Sequence, residues 1–243
     1  MKIIGVIPAR YASTRFPGKP LADIHGKPMI WWVYQQVVKI RGINDVICAI
    51  DDERVEKVCN ELELNYVMTS YNLPEHISRI HEVSETEKAD YYICVNGDEP
   101  LISKECIEPV LPKGINNGIY FAGAMRIMTD PVEVIDSANL KVVVSNTGRC
   151  LYISRTPVPY PQGSLLFKYC KYIGVECFNK AALDFFVSAP KGNLEGIEDI
   201  DHLRFLEHGI DLHFAFVDSE SISVDTPKDL EKVRRLLAMP NTP

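Results

Sequence analysis

The chain has 243 residues, 46% of them hydrophobic and 24% charged, which is typical of a globular protein large enough to bury a core. Its net charge of −7 argues against nucleic acid as a partner, because nucleic-acid binding normally requires a basic face. No apolar run reaches the roughly 18 residues of a membrane span, and the amino terminus lacks the pattern of a signal peptide. These properties predict a cytoplasmic protein that does not associate with membranes.

Apolar strands alternate with helices in the first part of the chain. Strands are predicted at residues 2–7, 46–50, 66–69 and 91–95, and helices at residues 29–39, 53–62 and 77–87. Such alternation, with strands that are apolar on both faces, is typical of a mostly parallel α/β sheet with helices on both sides. We expect one domain that spans residues 1–243.

From about residue 119 the chain changes character. Short strands with turn residues between them are predicted at residues 121–126, 141–144 and 150–153, and a proline-rich loop at 156–163. We expect a smaller antiparallel lobe inserted at about residues 119–165. Further predicted elements are helices at 180–187 and 197–208, a strand at 212–217 and a last helix capped by Thr226, with Pro227 at its first position.

The loop that follows the first strand predicts a polyphosphate site. It holds three cations, Arg10, Arg15 and Lys19, together with glycine and proline, directly after a buried strand. Strand ends of α/β folds bind phosphates with backbone N–H groups and cations of this kind. The alternative is a charged surface loop that binds nothing.

Two acidic residues follow elements that end near the same sheet edge. Asp98 comes after a central strand, and Asp225 precedes the last helix. Carboxylates at these places can hold Mg²⁺ against phosphate oxygens, which predicts nucleotidyl transfer. The alternatives are a turn acid at Asp98 and an acid that merely favours the helix start at Asp225.

Cysteine and histidine spacing indicates neither a disulfide framework nor a local metal motif. The seven cysteines contain no C-x-x-C pair, and several lie in apolar runs, so we expect buried reduced thiols, with disulfides or structural zinc as the alternative. The six histidines also lack ligand spacing, since His76 and His81 lie five residues apart.

The sequence resembles the CMP-Kdo synthetases (3-deoxy-manno-octulosonate cytidylyltransferases) over most of its length. The matching segments are residues 8–21, 26–30, 51–52, 97–100, 139 with 141–143, 154–155, 173–174, 194–195 with 197–198, and 224–231, of which the first and last are the most specific. The resemblance implies a Rossmann-like nucleotidyltransferase sheet whose antiparallel lobe forms a homodimer. It also implies a cytosolic enzyme that uses Mg²⁺ and CTP to make a CMP-sugar and pyrophosphate.

The resemblance also implies roles for individual residues. Nucleotide binding is expected at Pro8, Ala9, Arg10, Ser13, Arg15, Lys19, Arg79 and Asn96. Asp98 and Asp225 are expected to hold the metal and, with Arg10 and Lys19, to be catalytic. Acceptor binding is expected at Lys141, Arg155, Tyr172, Glu176, Asp201 and His202.

The chain departs from the family pattern in the regions that contact the base and the acceptor. The base-contacting segment is replaced by residues 73–79, which keep only Arg79, and Asn96 stands in place of a glutamine. Glu176 replaces a tyrosine, and a carboxylate there would repel an acidic acceptor unless a cation intervenes. We therefore expect an acidic sugar such as Kdo or a Kdo-like acid as the acceptor, including a modified form such as an amino-bearing sugar acid, with another small acid or a phosphonate as the alternative. The alternatives are a shifted register at Glu176 and a nucleotide-binding protein without activity.

Overall fold

The computed structural model describes residues 1–12, 16–73, 75–164, 166–219 and 221–238. The strands are β1 (Ile3–Ala9), β2 (Asp23–Ile24), β3 (Lys27–Pro28), β4 (Asp45–Ile50), β5 (Tyr66–Met68), β6 (Tyr91–Val95), β7 (Phe121–Ile127), β8 (Lys141–Val144), β9 (Cys150–Ser154), β10 (Cys170–Asn179) and β11 (His213–Phe216). The α-helices are α1 (Met29–Val37), α2 (Glu53–Glu61), α3 (His76–Thr86), α4 (Lys104–Ile107), α5 (Pro131–Ile135), α6 (Lys180–Ser188), α7 (Asn193–Glu198), α8 (His202–Glu207) and α9 (Pro227–Ala238).

The central sheet has the strand order β11-β7-β10-β6-β1-β4-β5. Strand β1 pairs in parallel with β4 and β6, and β4 pairs in parallel with β5. Alternate residues of β1 enter different core clusters: Ile3 and Ile7 pack with α1 and α2, whereas Ile4 and Val6 pack with α3 and α6. The prediction of a mostly parallel sheet covered by helices on both faces is confirmed.

The antiparallel part of the fold is continuous with the central sheet. Strand β10 runs antiparallel to β6 on one side and β7 on the other, and β8 pairs with both β10 and β9. Strand β7 therefore lies within the central sheet, while β8 and β9 extend it. The sequence analysis did not predict β10, whose polar residues interrupt an apolar strand pattern. The division into one domain with an inserted lobe remains a prediction.

The prediction of one continuous helix at residues 197–208 is wrong. Residue Asp199 adopts the left-handed conformation with φ of 53°, which ends α7 before α8 begins. The start of the last helix is confirmed, because α9 begins at Pro227 and the Asp229 N–H donates to Thr226 Oγ1 over 3.4 Å.

The cysteine prediction is confirmed, since each of the seven is a buried free thiol. Among the helices in the described part of the chain, none has the length and apolar character needed to cross a membrane.

Candidate functional site

A cleft of about 410 Å³ opens at the carboxyl ends of β1 and β6. Its lining consists of Pro8, Ala9, Arg10, Ala12, Lys19, Pro20, His76, Arg79, Asn96, Gly97, Asp98 and Asp225. The structure thus brings together eight of the residues predicted to bind nucleotide or metal. The remaining two, Ser13 and Arg15, lie outside the described residues.

Lys19 connects the two predicted metal ligands. Its Nζ lies 2.6 Å from Asp98 Oδ2 and 3.4 Å from Asp225 Oδ1. Lys19 follows Gly18, whose positive φ of 71° suits glycine and whose N–H donates to the Tyr11 carbonyl. This turn returns the loop to the cleft and directs the ammonium group between the two carboxylates.

Close backbone contacts determine where the two carboxylates lie. A Cβ atom at Gly97 would come within 2.6 Å of the Pro8 carbonyl oxygen, so only glycine lets the turn after β6 approach the end of β1 this closely. The Val224 N–H donates to the Asp98 carbonyl over 2.8 Å and thereby brings the neighbouring Asp225 to the same place. The two acids are therefore held by backbone contacts as well as by Lys19.

The carboxylates provide a suitable donor set for a hard cation. Asp98 Oδ1 is buried and has no hydrogen-bond partner among the described residues. A buried carboxylate oxygen without a partner is costly unless a ligand or ion satisfies it. Mg²⁺ prefers oxygen ligands and commonly uses one or two carboxylates together with phosphate oxygens, so the pair Asp98 and Asp225 fits this ion.

Arg79 reaches the cleft from α3 and is held by a buried ion pair. Its Nη2 lies 3.2 Å from Asp51 Oδ2, and its Nη1 donates to Thr69 Oγ1. Burial lowers the pKa of Arg79, an effect that the Asp51 carboxylate opposes. The other Asp51 oxygen accepts from the Tyr11 N–H over 3.0 Å. Asp51 thus positions both Arg79 and the loop after β1, a role that was not predicted for it from the sequence.

Behind the cleft, Glu99 and β10 hold the turn that carries Asp98. The Asn96 N–H donates to the Gly174 carbonyl over 3.0 Å, and the Gly174 N–H donates to Glu99 Oε1 over 3.2 Å. Burial raises the pKa of Glu99 to about 7. A Cβ atom at Gly174 would collide with the Asn96 side chain, so the bulged strand approaches the turn only because this residue is glycine.

Four of the residues predicted to bind the acceptor form a connected cluster with His76. Glu176 is fully buried; its Oε1 accepts from the Tyr172 hydroxyl over 2.6 Å and also pairs with His202. His76 Nε2 lies 2.9 Å from Glu176 Oε2, and His76 Nδ1 lies 3.1 Å from Asp201 Oδ2. The cluster reaches the cleft through His76, which lines it.

The histidines compensate the charge of Glu176. Burial favours a higher pKa for this carboxyl group, but His202 and His76 outweigh burial and lower the pKa below its usual range. Burial likewise works to lower the pKa of His76, yet the carboxylates of Glu176 and Asp201 raise it to about 10. The cation that the sequence analysis required beside Glu176 is therefore present. Because the Glu176 charge is compensated, charge repulsion between Glu176 and an acidic acceptor gives no reason to expect an altered acceptor.

Lys141 and Arg155 lie outside the cleft lining. The buried Lys141 ammonium donates to the carbonyl oxygens of Asp136 and Arg155, both over 2.7 Å. The Arg155 guanidinium donates to the carbonyl oxygens of Glu198, Ser137 and Asp199. These donors are occupied by the backbone near β8 and α7, so the structure does not bring the two residues to the site as the sequence analysis expected.

The chain is similar to known proteins of one family. The cytidylyltransferase family model matches residues 4–221. The 3-deoxy-manno-octulosonate cytidylyltransferase of Escherichia coli is 35% identical over 237 residues, covering 98% of this chain and 96% of that protein. The 8-amino-3,8-dideoxy-manno-octulosonate cytidylyltransferase of Shewanella sp. (strain W3-18-1) is 34% identical over 247 residues, covering 98% and 99%.

A solved structure agrees over the same length. The structure of CMP:2-keto-3-deoxy-manno-octonic acid synthetase complexed with CTP has a TM-score of 0.88 and 34% sequence identity, covering 98% of this chain and 99% of that one. The family model, the full-length relatives and the fold agree with the resemblance found in the sequence. The chain therefore belongs to the cytidylyltransferase family and is a nucleotidyl-transferring enzyme of the CMP-Kdo synthetase type.

Proposed function

We propose that the enzyme uses Mg²⁺ and CTP to transfer CMP to an acidic sugar of the 3-deoxy-manno-octulosonate class. An acceptor hydroxyl oxygen forms a bond to the α-phosphorus, the bond to the β-phosphate breaks, and pyrophosphate leaves while the hydroxyl proton is released to water. The observation that carries the proposal is the contact of Lys19 with both Asp98 and Asp225 inside the cleft. The relatives named for this transfer support it.

The residues of the cleft act by positioning and by charge. Arg10, Lys19 and Arg79 line the cleft as cations that bind the triphosphate and neutralise charge that develops as pyrophosphate leaves. Asp98 and Asp225 would hold the metal ion, which supplies Lewis-acid stabilisation of phosphate oxygens when bound. Fixed positions matter because nucleotidyl transfer asks little covalent chemistry of the protein.

The names of the relatives indicate two candidate acceptors. Proteins named for 3-deoxy-manno-octulosonate and for its 8-amino-3,8-dideoxy form are almost equally similar to this chain, at 35% and 34% identity. The cluster around Glu176 is the part of the site that departs from the family pattern, so we place the choice between acceptors there. We also propose a cytoplasmic location, where CTP is available; cell fractionation tests it.

A turnover assay tests the proposed reaction. Pyrophosphate release is measured with CTP, Mg²⁺ and a panel of the two sugar acids, a small phosphonate and no acceptor. We expect release only with a sugar acid and a loss of about a thousandfold in kcat for Asp98→Asn, because several kcal/mol of charge stabilisation disappear with the metal ligand. Asp211→Asn, at an exposed carboxylate outside the cleft, is the matched control. Normal turnover by Asp98→Asn would remove Asp98 from the mechanism.

We also propose that the enzyme is a homodimer. Exposed apolar side chains in the predicted lobe support this, because Val132 and Ile135 of α5 are 66% and 74% exposed, and Tyr160, Leu166 and Phe167 are also exposed. Light scattering after size exclusion should give twice the chain mass for the native protein and for Val187→Glu, an exposed residue of α6. Ile135→Glu should shift the mass towards the monomer, since it places a charge in the interface. A monomeric native protein, or an unaffected Ile135→Glu dimer, contradicts the proposed interface.

A further inference from the structure

His76, Glu176 and His202 place three metal-binding atoms in one small volume. Each residue comes from a different element, the start of α3, the middle of β10 and the start of α8. The ligand atoms of the three side chains all lie within 4.8 Å of one another. Glu176 and His202 are almost completely buried, whereas the His76 side chain is 28% exposed on the cleft side.

We propose that these three side chains bind a divalent transition-metal ion, Zn²⁺ being the expected one, at a site distinct from the carboxylate pair Asp98 and Asp225. Two imidazole nitrogens with one carboxylate favour such an ion over Mg²⁺, which prefers oxygen ligands, and the ion would replace the proton that His76 carries on Nε2 when no metal is bound, releasing it to water. Zinc ligands at about 2.1 Å in a tetrahedral site lie about 3.4 Å apart. The 2.9 Å between His76 Nε2 and Glu176 Oε2, and the still shorter contact of His202 Nε2 with Glu176 Oε1, must both open to reach this spacing.

Two of the three ligands, His76 and Glu176, have hydrogen bonds of the kind that metal sites use to orient their ligands. His76 Nδ1 lies 3.1 Å from Asp201 Oδ2, which leaves Nε2 directed at the cluster, as in carboxylate–histidine–metal arrangements. The Tyr172 hydroxyl donates to Glu176 Oε1 over 2.6 Å and so holds the carboxylate in its orientation. His76 and Glu176 therefore have the second layer of partners expected of a metal site, whereas His202 Nδ1 is buried and has no hydrogen-bond partner among the described residues.

A second histidine cluster, around His81 on α3, differs from the first in that its carboxylates are exposed to solvent. His81 lies 3.0 Å from Asp184 and 3.8 Å from Glu85, but both carboxylates are more than half exposed. The Lys180 ammonium, 2.6 Å from Glu85 and also paired with Asp184, already supplies a positive charge there. This cluster is a surface ion-pair network, and it provides a matched control for His76.

A bound ion would join α3, β10 and α8 at the wall of the cleft. Three protein ligands leave at least one coordination position, and entry is possible from the cleft, where His76 is exposed. The ion would therefore fix the part of the site that departs from the family pattern. This inference does not depend on the identity of the acceptor.

Metal binding to the full-length protein tests the proposal. After EDTA treatment and dialysis, Zn²⁺ is titrated by calorimetry in excess Mg²⁺, and Co²⁺ is titrated by its visible d–d absorption. We expect one equivalent per chain, lost in His76→Ala and Glu176→Gln and retained in His81→Ala. Asp201→Asn should weaken binding by about 10- to 100-fold, as loss of an orienting partner does in other metal sites.

The outcomes separate this inference from the proposed reaction. Asp98→Asn should lose turnover yet keep the Zn²⁺ equivalent, because its carboxylate lies outside the cluster. Absence of stoichiometric binding to the native protein, or binding that persists in both His76→Ala and Glu176→Gln, overturns the proposal and leaves an ion-pair network. Circular dichroism establishes that each variant is folded, and His76→Ala changes a partly exposed residue, so the test does not depend on the buried positions alone.

Discussion

At the scale of single residues, Asp51 shows how a buried carboxylate supports the site without lining it. The side chains of Asp51 and Arg79 are 2% and 1% exposed. We expect Asp51→Asn to lower the free energy of unfolding by about 3 kcal/mol, because the Arg79 charge stays buried after its partner is removed. Urea denaturation measures this change. The same substitution at Asp211, in an exposed pair with Arg149, should cost less than about 1 kcal/mol. Equal effects in the two variants would contradict a structural role for the buried pair.

Functional residues could be predicted from the sequence where they lie next to the end of a regular element, but not where they meet only through the packing of distant segments. Lys19, Asp98 and Asp225 were predicted from their places after or before regular elements, and the cleft brings them together. The cluster of His76, Glu176 and His202 has no local spacing to reveal it, because its members are brought together only by packing of α3, β10 and α8. For Lys141 an acceptor-binding role was predicted, but its ammonium group donates to two backbone carbonyl oxygens. The sequence does not show which of these two partners a lysine will have.

At the scale of elements, the approach of the β6 turn to β1 depends on Gly97. A Cβ atom there meets a backbone oxygen, which cannot rotate away as a side chain can. We expect Gly97→Ala to destabilise the protein by about 2 kcal/mol and to lower turnover, because the turn that carries Asp98 must shift. Gly196→Ala in α7 is the control; apart from its chain neighbours and the backbone of its own helix, no described atom lies within 4 Å of its Cβ position, and alanine favours the helix. Thermal unfolding and the pyrophosphate assay should separate the two variants. Unchanged stability and turnover in Gly97→Ala would show that the turn is not constrained.

Elements were predictable when one feature dominated their sequence. Strands β1 and β6 are apolar throughout and β4 is apolar after Asp45, which made their burial and parallel pairing evident. Strand β10 was missed because it carries polar residues that serve the site, among them Glu176. The break at Asp199 was missed because a single left-handed residue leaves the helical pattern on either side intact.

At the scale of the whole molecule, the buried thiols predict low chemical reactivity. Burial raises the pKa of Cys150 to about 12 and raises the pKa of Cys94 and Cys177 well above the ordinary value. A raised pKa leaves little thiolate at pH 8, and thiolate is the reactive form. Alkylation by iodoacetamide, followed by mass spectrometry, should therefore be slow at these three cysteines in the native protein and reach all seven after denaturation. Rapid modification of the native chain at these three positions would contradict their burial.

The hydrogen bond from the Val224 N–H to the Asp98 carbonyl joins a segment that the ribosome makes late to one that it makes early. Every strand that the structure describes precedes Val224 in the chain, so a nascent polypeptide contains all of them before it contains Asp225. With the metal-binding role proposed for Asp225, catalytic competence would be acquired only after the strands of the scaffold have been synthesised. An incomplete translation product that stops after β11 has the scaffold's strands but only one of the two carboxylates.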